Sequence, residues 1–207
     1  MEVDSILLSY KNRCILSDIY ISCQIGQCVG IIGKNGEGKS SLMQIIFGTL
    51  NSHYKSIRCD GDVISSFYIK KNNIKYLPQN SFLMPYLSIK KVFDIYSIDI
   101  NELYNNFIDF KINKNKKIRE LSFGEKRLIE IIIIIKSNSK FILLDEPFTY
   151  IMPLHVEQIK KIIYSEKKHK GFIITDHLTN YISEVSDIIY LLDDCSLRKI
   201  NSQKDFK

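Results

Sequence analysis

The sequence predicts an α/β fold, in which helices cover a mixed and mainly parallel β-sheet, and two observations support it. Residues 28–32 form an apolar run that leads through a glycine-rich loop into an apolar-periodic segment at 41–47, the order strand, loop and helix. Residues 141–144 form a second apolar run, which ends in two carboxylates. Because α/β sheets place their chemistry at the ends of such strands, we expect the functional site there.

The glycine-rich loop at 33–40 has the spacing G-x-x-x-x-G-K-S and is predicted to bind phosphate. It consists of Gly33, Lys34, Asn35, Gly36, Glu37, Gly38, Lys39 and Ser40. Glycines let backbone N–H groups turn toward phosphate oxygens, and the following helix adds its positive N-terminal end. Lys39 is expected to reach the terminal phosphates, and the Ser40 hydroxyl is expected to bind Mg²⁺. The alternative is a plain glycine-rich turn, which leaves the Lys-Ser pair unexplained.

The composition indicates a globular protein and argues against several other classes. Of the 207 residues, 45% are apolar and 25% are charged, which is ordinary for a soluble domain. The five cysteines contain no C-x-x-C pair, so neither a disulfide framework nor a zinc site is favoured and a reducing cytoplasm fits best. The net charge of +6 comes from dispersed lysines, which favours a solvated surface over a nucleic-acid or anionic membrane patch.

No membrane insertion or export is expected from the sequence. The N-terminus lacks the basic-then-apolar order of a signal peptide. The densest apolar stretch, 131–135, is far shorter than the roughly 20 residues that span a bilayer. Any membrane role is therefore expected to come through a partner.

The first part of the chain is predicted to be mainly strands. Strands are expected at 3–9, 19–25 and 74–77, with a polar turn at 11–13 and a β-hairpin around Asp60-Gly61 within 55–64. The helix after the phosphate loop should stop at Gly48. Tyr10 ends the first strand, where it could stack on an adenine ring, although a strand tyrosine is usually just packing. Pro78 ends a later strand and delivers Gln79 to a loop.

The second part is predicted to begin with helices and end in α/β alternation. Helical spacing runs through 87–110, and Ser122 with Glu125 three residues later has the capping-box spacing for a buried helix to about residue 136. Pro153 fits the first turn of a helix that reaches about residue 164. Strands are expected at 141–144, 171–175 and 187–192, with a short helix before the last of them. The strand at 171–175 should present Asp176 and His177 at its end.

Taken in this order, the segments resemble the ATP-binding cassette (ABC) ATPases over essentially the whole chain. Tyr10 matches the adenine-stacking aromatic, residues 33–40 with Ser41 match the Walker A loop, and Gln79 matches the Q-loop. Residues 121–125 match the signature motif, residues 141–145 match Walker B, Glu146 matches the catalytic glutamate, and His177 matches the switch histidine. Residues 140–148 and 174–177 look most like the ATPases of lipopolysaccharide export and their branched-chain amino-acid relatives.

The resemblance implies a fold and a division of the chain. The fold would be a P-loop NTPase core with an antiparallel β part and a small α-helical subdomain. Residues 1–207 would form a single ABC ATPase domain, with 1–80 and 137–207 as the nucleotide-binding core and about 81–136 as the helical subdomain that carries the signature motif.

The resemblance also implies a mechanism with ATP and Mg²⁺. Two copies would pack head to tail around two ATP molecules, and Ser122 and Gly124 of one copy would hold the γ-phosphate bound to the other. Mg²⁺ would be held by Ser40, Gln79 and Asp145. Glu146 would polarise the attacking water, and His177 would contact the γ-phosphate, with Lys39 as the third catalytic group. The alternatives are that Gln79 is an ordinary loop residue, that Glu146 is a solvated carboxylate and that His177 is a surface histidine at a strand end.

The sequence departs from the family pattern at two places. Phe123 stands where the signature motif has its first glycine, and Met152 stands where relatives carry an aspartate before the proline. The segment between Gln79 and the signature motif also looks short. Because Met152 cannot make the polar contacts of that aspartate, we expect either altered coupling between the two ATP sites or a dimer interface with altered geometry. The short segment predicts a smaller groove for a membrane partner.

The function expected is an ATP-hydrolysing subunit that powers an ABC-type membrane transporter through ATP-driven dimerisation. Its partners would be a second copy and separate transmembrane permease subunits, with no nucleic acid and no direct membrane insertion. It would be cytoplasmic and peripheral on the cytoplasmic face of the inner (plasma) membrane. The alternatives are a soluble ABC ATPase of translation or DNA maintenance, and a weakly hydrolysing nucleotide-sensing subunit.

Overall fold

A computed structural model describes residues 1–11, 13–59, 61–63 and 73–200. The strands, in chain order, are β1 Glu2–Tyr10, β2 Arg13–Ser22, β3 Cys28–Ile32, β4 Tyr54–Cys59, β5 Asp62–Val63, β6 Ile74–Leu77, β7 Phe141–Asp145, β8 Gly171–Thr175, β9 Ile188–Asp193 and β10 Ser196–Ile200. The α-helices are α1 Lys39–Phe47, α2 Ile89–Tyr96, α3 Asn101–Asn106, α4 Phe123–Lys136, α5 Pro153–Glu166 and α6 Thr179–Val185. A 3₁₀ turn at Ile118–Glu120 precedes α4.

The strands form two sheets. An antiparallel sheet has the order β2-β1-β4-β5, and a six-stranded sheet has the order β10-β9-β3-β8-β7-β6. In the second sheet, the neighbours from β9 to β6 pair in parallel and β10 pairs antiparallel with β9. The predicted α/β fold with a mixed, mainly parallel sheet and an antiparallel part is therefore confirmed.

Both faces of the six-stranded sheet are buried, which explains why its central strands are apolar throughout. Along β3, Cys28 and Ile32 face a core that they share with α4, α5 and α6. Val29 and Ile31 face the opposite core, which contains α1 and the inner face of the antiparallel sheet. Because successive side chains of a strand point to opposite faces of the sheet, β3 contributes to both cores.

The predicted helix boundaries agree well with the structure because capping residues determine them. At the start of α4, Ser122 Oγ accepts a hydrogen bond from Glu125 N at 3.3 Å, and Glu125 Oε2 accepts one from Ser122 N at 2.6 Å. Helix α1 stops at Gly48, whose φ of 88° lies in the left-handed region that favours glycine. Pro153 occupies the first turn of α5.

Two strand predictions need correction. The strand expected at 19–25 runs over Arg13–Ser22 instead, because Arg13 pairs with Tyr10 and the pairing with β1 continues from there. Arg13 therefore belongs to this strand and not to the turn expected at 11–13. The terminal strand β10 was not expected, and it forms because its backbone pairs with β9. Of the hairpin expected at 55–64, β4 and β5 are present, while Asp60 and Ile64 lie outside the described residues.

Among the described residues, none of the helices has the length and apolar character needed to cross a membrane.

Candidate functional site

The candidate site lies at the carboxyl ends of four adjacent strands. The sheet order β3-β8-β7-β6 places the loop 33–40, His177, Glu146 and Gln79 side by side, since each follows one of these strands. Residues that are far apart in sequence therefore meet because parallel strands end at the same edge.

An open cleft of about 910 Å³ lies over this edge. The predicted site residues that line it are Tyr10, Asn35, Gly36, Gly38, Lys39, Ser40, Ser41, Gln79, Glu146 and His177. Gly33, Lys34 and Glu37 belong to the same loop without lining the cleft, and Asp145 is buried beside it. The side chain of Tyr10 is 53% exposed at the rim, where a flat ring could pack on it.

Two glycines of the phosphate loop, Gly33 and Gly38, are needed for steric reasons. Gly38 has φ 103°, and a Cβ atom there would lie 2.8 Å from Ile15 Cγ2. A Cβ atom at Gly33 would lie 2.4 Å from the carbonyl oxygen of Leu192 in the neighbouring strand. The loop therefore lies close against two strands, with no room for a side chain at either position.

The ammonium group of Lys39 lies inside the loop. Its Nζ donates to Gly33 O at 2.6 Å and to Lys34 O at 2.9 Å. Burial lowers the pKa of Lys39, and the carboxylates of Glu146 and Asp145 oppose this effect. A cation held by carbonyl oxygens at the start of a helix is well placed to exchange them for phosphate oxygens.

Asp145 is a buried carboxylate with a hydrogen bond on each oxygen. Tyr76 Oη donates to Oδ2 at 3.0 Å, and Thr175 Oγ1 donates to Oδ1 at 2.6 Å. Burial and the nearby Asp145 charge raise the pKa of Tyr76, so its phenol remains a neutral donor. These two donors fix the plane of the carboxylate at the end of β7.

Glu146 adopts an unusual backbone conformation. Its φ of 50° is in the left-handed region, which costs a non-glycine residue about 1–3 kcal/mol and persists only where the surroundings impose it. Its N–H donates to Thr175 O at 2.8 Å, and its Oε2 accepts from Gln79 Nε2 at 2.9 Å. His177 Nδ1 lies 4.0 Å from the same Oε2. The turn thus aims the carboxylate into the cleft between an amide and an imidazole.

Asp176, between β8 and His177, supports the loop beneath the site. It is fully buried and accepts hydrogen bonds from Phe148 N at 3.1 Å and Leu178 N at 2.9 Å. Desolvation raises its pKa, and these two hydrogen bonds oppose that shift. Asp176 therefore ties the chain after Glu146 to the chain after His177.

The predicted signature residues lie elsewhere on the same molecule. Ser122 and Gly124 line a separate pocket of about 360 Å³ together with Tyr150, Met152 and His155. The Phe123 ring does not fill this pocket, because it packs edge-to-face on Tyr150 with ring centroids 5.2 Å apart. One chain therefore does not bring the signature residues to its own phosphate loop.

Several residues at the site were not anticipated. Tyr76 and Thr175 hold Asp145, and Ile15, Thr149, Tyr150 and Leu178 also line the cleft. The Thr149 hydroxyl is buried without a hydrogen-bond partner among the described residues. Tyr76, Thr149, Thr175 and Leu178 each lie within three residues of a predicted site residue, which places them near the site but does not reveal their contacts. Ile15 and Tyr150 have no such neighbour.

Comparison with known proteins agrees with this geometry. Residues 16–149 match the family described as ABC transporter. The lipopolysaccharide export system ATP-binding protein LptB of Haemophilus influenzae is 31% identical, over 93% of this chain and 86% of its own length. The predicted family and the predicted class of activity, an ATPase subunit of a transporter, are therefore confirmed.

Two solved structures show the same fold. The ATP-binding subunit of an ABC transporter has a TM-score of 0.85 at 20% identity, covering 99% of this chain and 90% of that chain. A dimeric post-hydrolysis state of the ATP-binding cassette MJ0796 with ADP and Pi has a TM-score of 0.79 at 18% identity, covering 97% and 99%. The chain belongs to the ABC transporter family, as an ATP-binding subunit.

Proposed function

We propose that the cleft binds ATP and that Glu146 activates the water that hydrolyses it. The observation that supports this proposal most strongly is the arrangement of the Gln79, His177 and Lys39 side chains around Glu146. Its carboxylate lies 2.9 Å from the Gln79 amide and 4.0 Å from the His177 imidazole, in the cleft that the Lys39 loop also lines. A base, a neutral donor and a cation around one space are what phosphoryl transfer to water needs.

The proposed steps follow from where each group lies. The N–H groups of 33–40 and the Lys39 ammonium bind the β- and γ-phosphates, and Tyr10 at the rim stacks on the adenine. Glu146 polarises a water placed in line with the γ-phosphate. His177 donates to the γ-phosphate oxygens as their charge grows. Gln79 holds the Glu146 side chain and releases it when the phosphate arrives.

The residues present also fit Mg²⁺. Ser40 offers a hydroxyl, Gln79 a carbonyl oxygen that its bond to Glu146 leaves free, and Asp145 a carboxylate with lone pairs beyond the two hydrogen bonds it accepts. These three residues would supply three oxygen ligands, and phosphate oxygens would complete the coordination. When bound, Mg²⁺ would neutralise part of the negative charge of the phosphates.

We further propose that two copies pack head to tail. Ser122 and Gly124 lie in a separate pocket from the phosphate loop, so they can reach a γ-phosphate only in a second copy. Ser122 is exposed at the N-terminus of α4, a position that favours an anion. The dimeric arrangement of a cassette with the same fold supports this geometry.

The proposed membrane partner would bind a groove on the side of α1 and β6. The groove, about 520 Å³, is lined by Phe47, Tyr76, Phe82, Tyr96 and Ile134. An apolar groove of this kind suits a helix with apolar anchors. We propose that residues 1–207 act as a single ABC ATPase domain, peripheral on the cytoplasmic face of the inner membrane, with separate transmembrane permease subunits.

ATP hydrolysis by the purified chain tests the proposal. Wild type should release phosphate from Mg-ATP, and Glu146→Gln should lose at least about a hundredfold in kcat while ATP still binds, because the amide cannot polarise water. Glu2→Gln is the matched control, since Glu2 lies exposed at the start of β1. Equal rates for wild type and Glu146→Gln would remove Glu146 from the reaction.

A further inference from the structure

Arg127 and Glu130 are charged side chains on α4 that are almost fully buried, at 2% and 1% exposure. They form an ion pair with Arg127 Nη1 at 3.4 Å from Glu130 Oε2. Buried charges are costly unless every donor and acceptor is used, so the other contacts of this pair are informative.

The remaining contacts of Arg127 are made to the backbone around two site residues. Nη1 donates to Pro78 O at 2.7 Å, directly before Gln79. Nη2 donates to Asp145 O at 2.6 Å and to Glu146 O at 3.2 Å. One planar guanidinium therefore joins the end of β6 to the turn after β7. It also supports the left-handed backbone of Glu146, which needs such external restraint.

The contacts of Glu130 hold the other end of the Gln79 loop. Its Oε1 accepts from Ser81 Oγ at 2.5 Å and from Phe82 N at 3.1 Å. The loop is thus fixed before Gln79 through Arg127 and after Asn80 through Glu130. Gln79 and Asn80 remain exposed between these two anchors.

We propose that the Arg127–Glu130 pair positions Glu146 and the Gln79 loop relative to each other and to α4. Neither side chain lines the cleft, so both act through the residues they hold. Because α4 begins at Ser122, any movement of this helix would be passed to Glu146 and Gln79 through hydrogen bonds rather than through loose packing. The inference rests on the proposed hydrolytic role of Glu146.

Three variants test this pair by separating turnover from ATP binding. Arg127→Met removes all three backbone contacts, and Arg127→Lys keeps the charge but cannot donate to both segments with a planar fork. We expect kcat to fall by about a hundredfold and about tenfold respectively, with the Kd for ATP changed less than about threefold, because misplacement of a reacting group affects the transition state most. Glu130→Gln removes the charge but keeps the size of the side chain and one acceptor oxygen for Ser81 and Phe82, so kcat should fall less than in Arg127→Met.

Lys170→Met is the matched control for loss of a buried cation. Lys170 is 8% exposed, donates to Ile135 O in the last turn of α4, and pairs with Glu166 at 2.9 Å. We expect both Lys170→Met and the Arg127 variants to lower the melting temperature. Lys170→Met should leave kcat unchanged when kcat is measured well below the melting temperature. If Arg127 only stabilised the fold, its variants and Lys170→Met would therefore have the same kcat.

The outcomes are distinguishable. Wild type without hydrolysis overturns the proposed function and this inference with it. Active wild type with equal kcat in the Arg127 variants and Lys170→Met overturns this inference alone. If Arg127→Met does not fold, Arg127→Lys and Glu130→Gln decide, and normal kcat in both contradicts the positioning role.

Discussion

Replacing Tyr76 by phenylalanine removes one hydroxyl and leaves the buried Asp145 with one hydrogen bond fewer. The Tyr76 hydroxyl donates to Asp145 Oδ2 at 3.0 Å in the protein interior. The ring stays in place against Phe47, with centroids 5.3 Å apart, so packing changes little. The perturbation therefore isolates a single charge-assisted hydrogen bond.

The expected cost follows from the charge and burial of the acceptor. A hydrogen bond to a charged group contributes about 1.5–3 kcal/mol, and a buried oxygen that loses its donor regains no water. For a domain of this size, each kcal/mol lowers the melting temperature by about 2–4 °C, so Tyr76→Phe should melt about 3–12 °C lower. A lower affinity for Mg-ATP should accompany the loss, because the carboxylate orientation is then less defined.

Tyr190→Phe is the matched control in thermal denaturation. Both tyrosines are 9% exposed, but the Tyr190 hydroxyl makes no hydrogen bond among the described residues. We expect this variant to melt within about 2 °C of wild type, since only a hydroxyl without a partner is removed. If Tyr76→Phe is as stable as Tyr190→Phe and binds Mg-ATP normally, the role given to the Tyr76–Asp145 bond is wrong.

Two further changes test the phosphate loop and the pH dependence of stability. Gly38→Ala should weaken ATP binding by about tenfold or more, because alanine is strained at φ 103° and its Cβ would press on Ile15; titration with ATP measures this, and unchanged affinity would contradict the loop geometry. Desolvation alone would raise the pKa of Glu166, but hydrogen bonds from Lys170 and Lys136 outweigh it and hold the pKa below its ordinary 4.5. This contribution is present above pH 4.5 and is lost as the pH falls through the lower folded-state pKa, so the melting temperatures of wild type and Glu166→Gln should converge in acid and differ most near neutral pH.

Much of the fold could be predicted because local signals determine it. The phosphate loop, the capping box at Ser122 and the stop at Gly48 each depend on a few neighbouring residues. Strand β10 and the early start of β2 could not be predicted in the same way. Their sequences carry weak apolar patterns, and pairing with a neighbouring strand decides their extent.

Most of the predicted site residues line the cleft, whereas the groups that hold them in place were much harder to predict. Tyr76 and Thr175 orient Asp145 through contacts between separate strands, which sequence spacing does not reveal. Arg127 and Glu130 did carry a signal. Their opposite charges lie three residues apart next to the long apolar run of a buried helix, where charged side chains must be paired. Their partners in the Gln79 loop, however, follow only from the packing of α4 against β6 and β7.

Light scattering of Glu146→Gln with and without ATP tests the central claim most directly, because it asks whether one chain completes its site with a second copy. The account predicts that ATP converts the variant from the mass of one chain to that of two. ADP should leave the variant at the mass of one chain. Adding Ser122→Arg to Glu146→Gln should prevent ATP from forming the dimer, since the arginine side chain would fill the pocket that receives the γ-phosphate in this account. Glu146→Gln that binds ATP but remains a single chain would contradict the head-to-tail site.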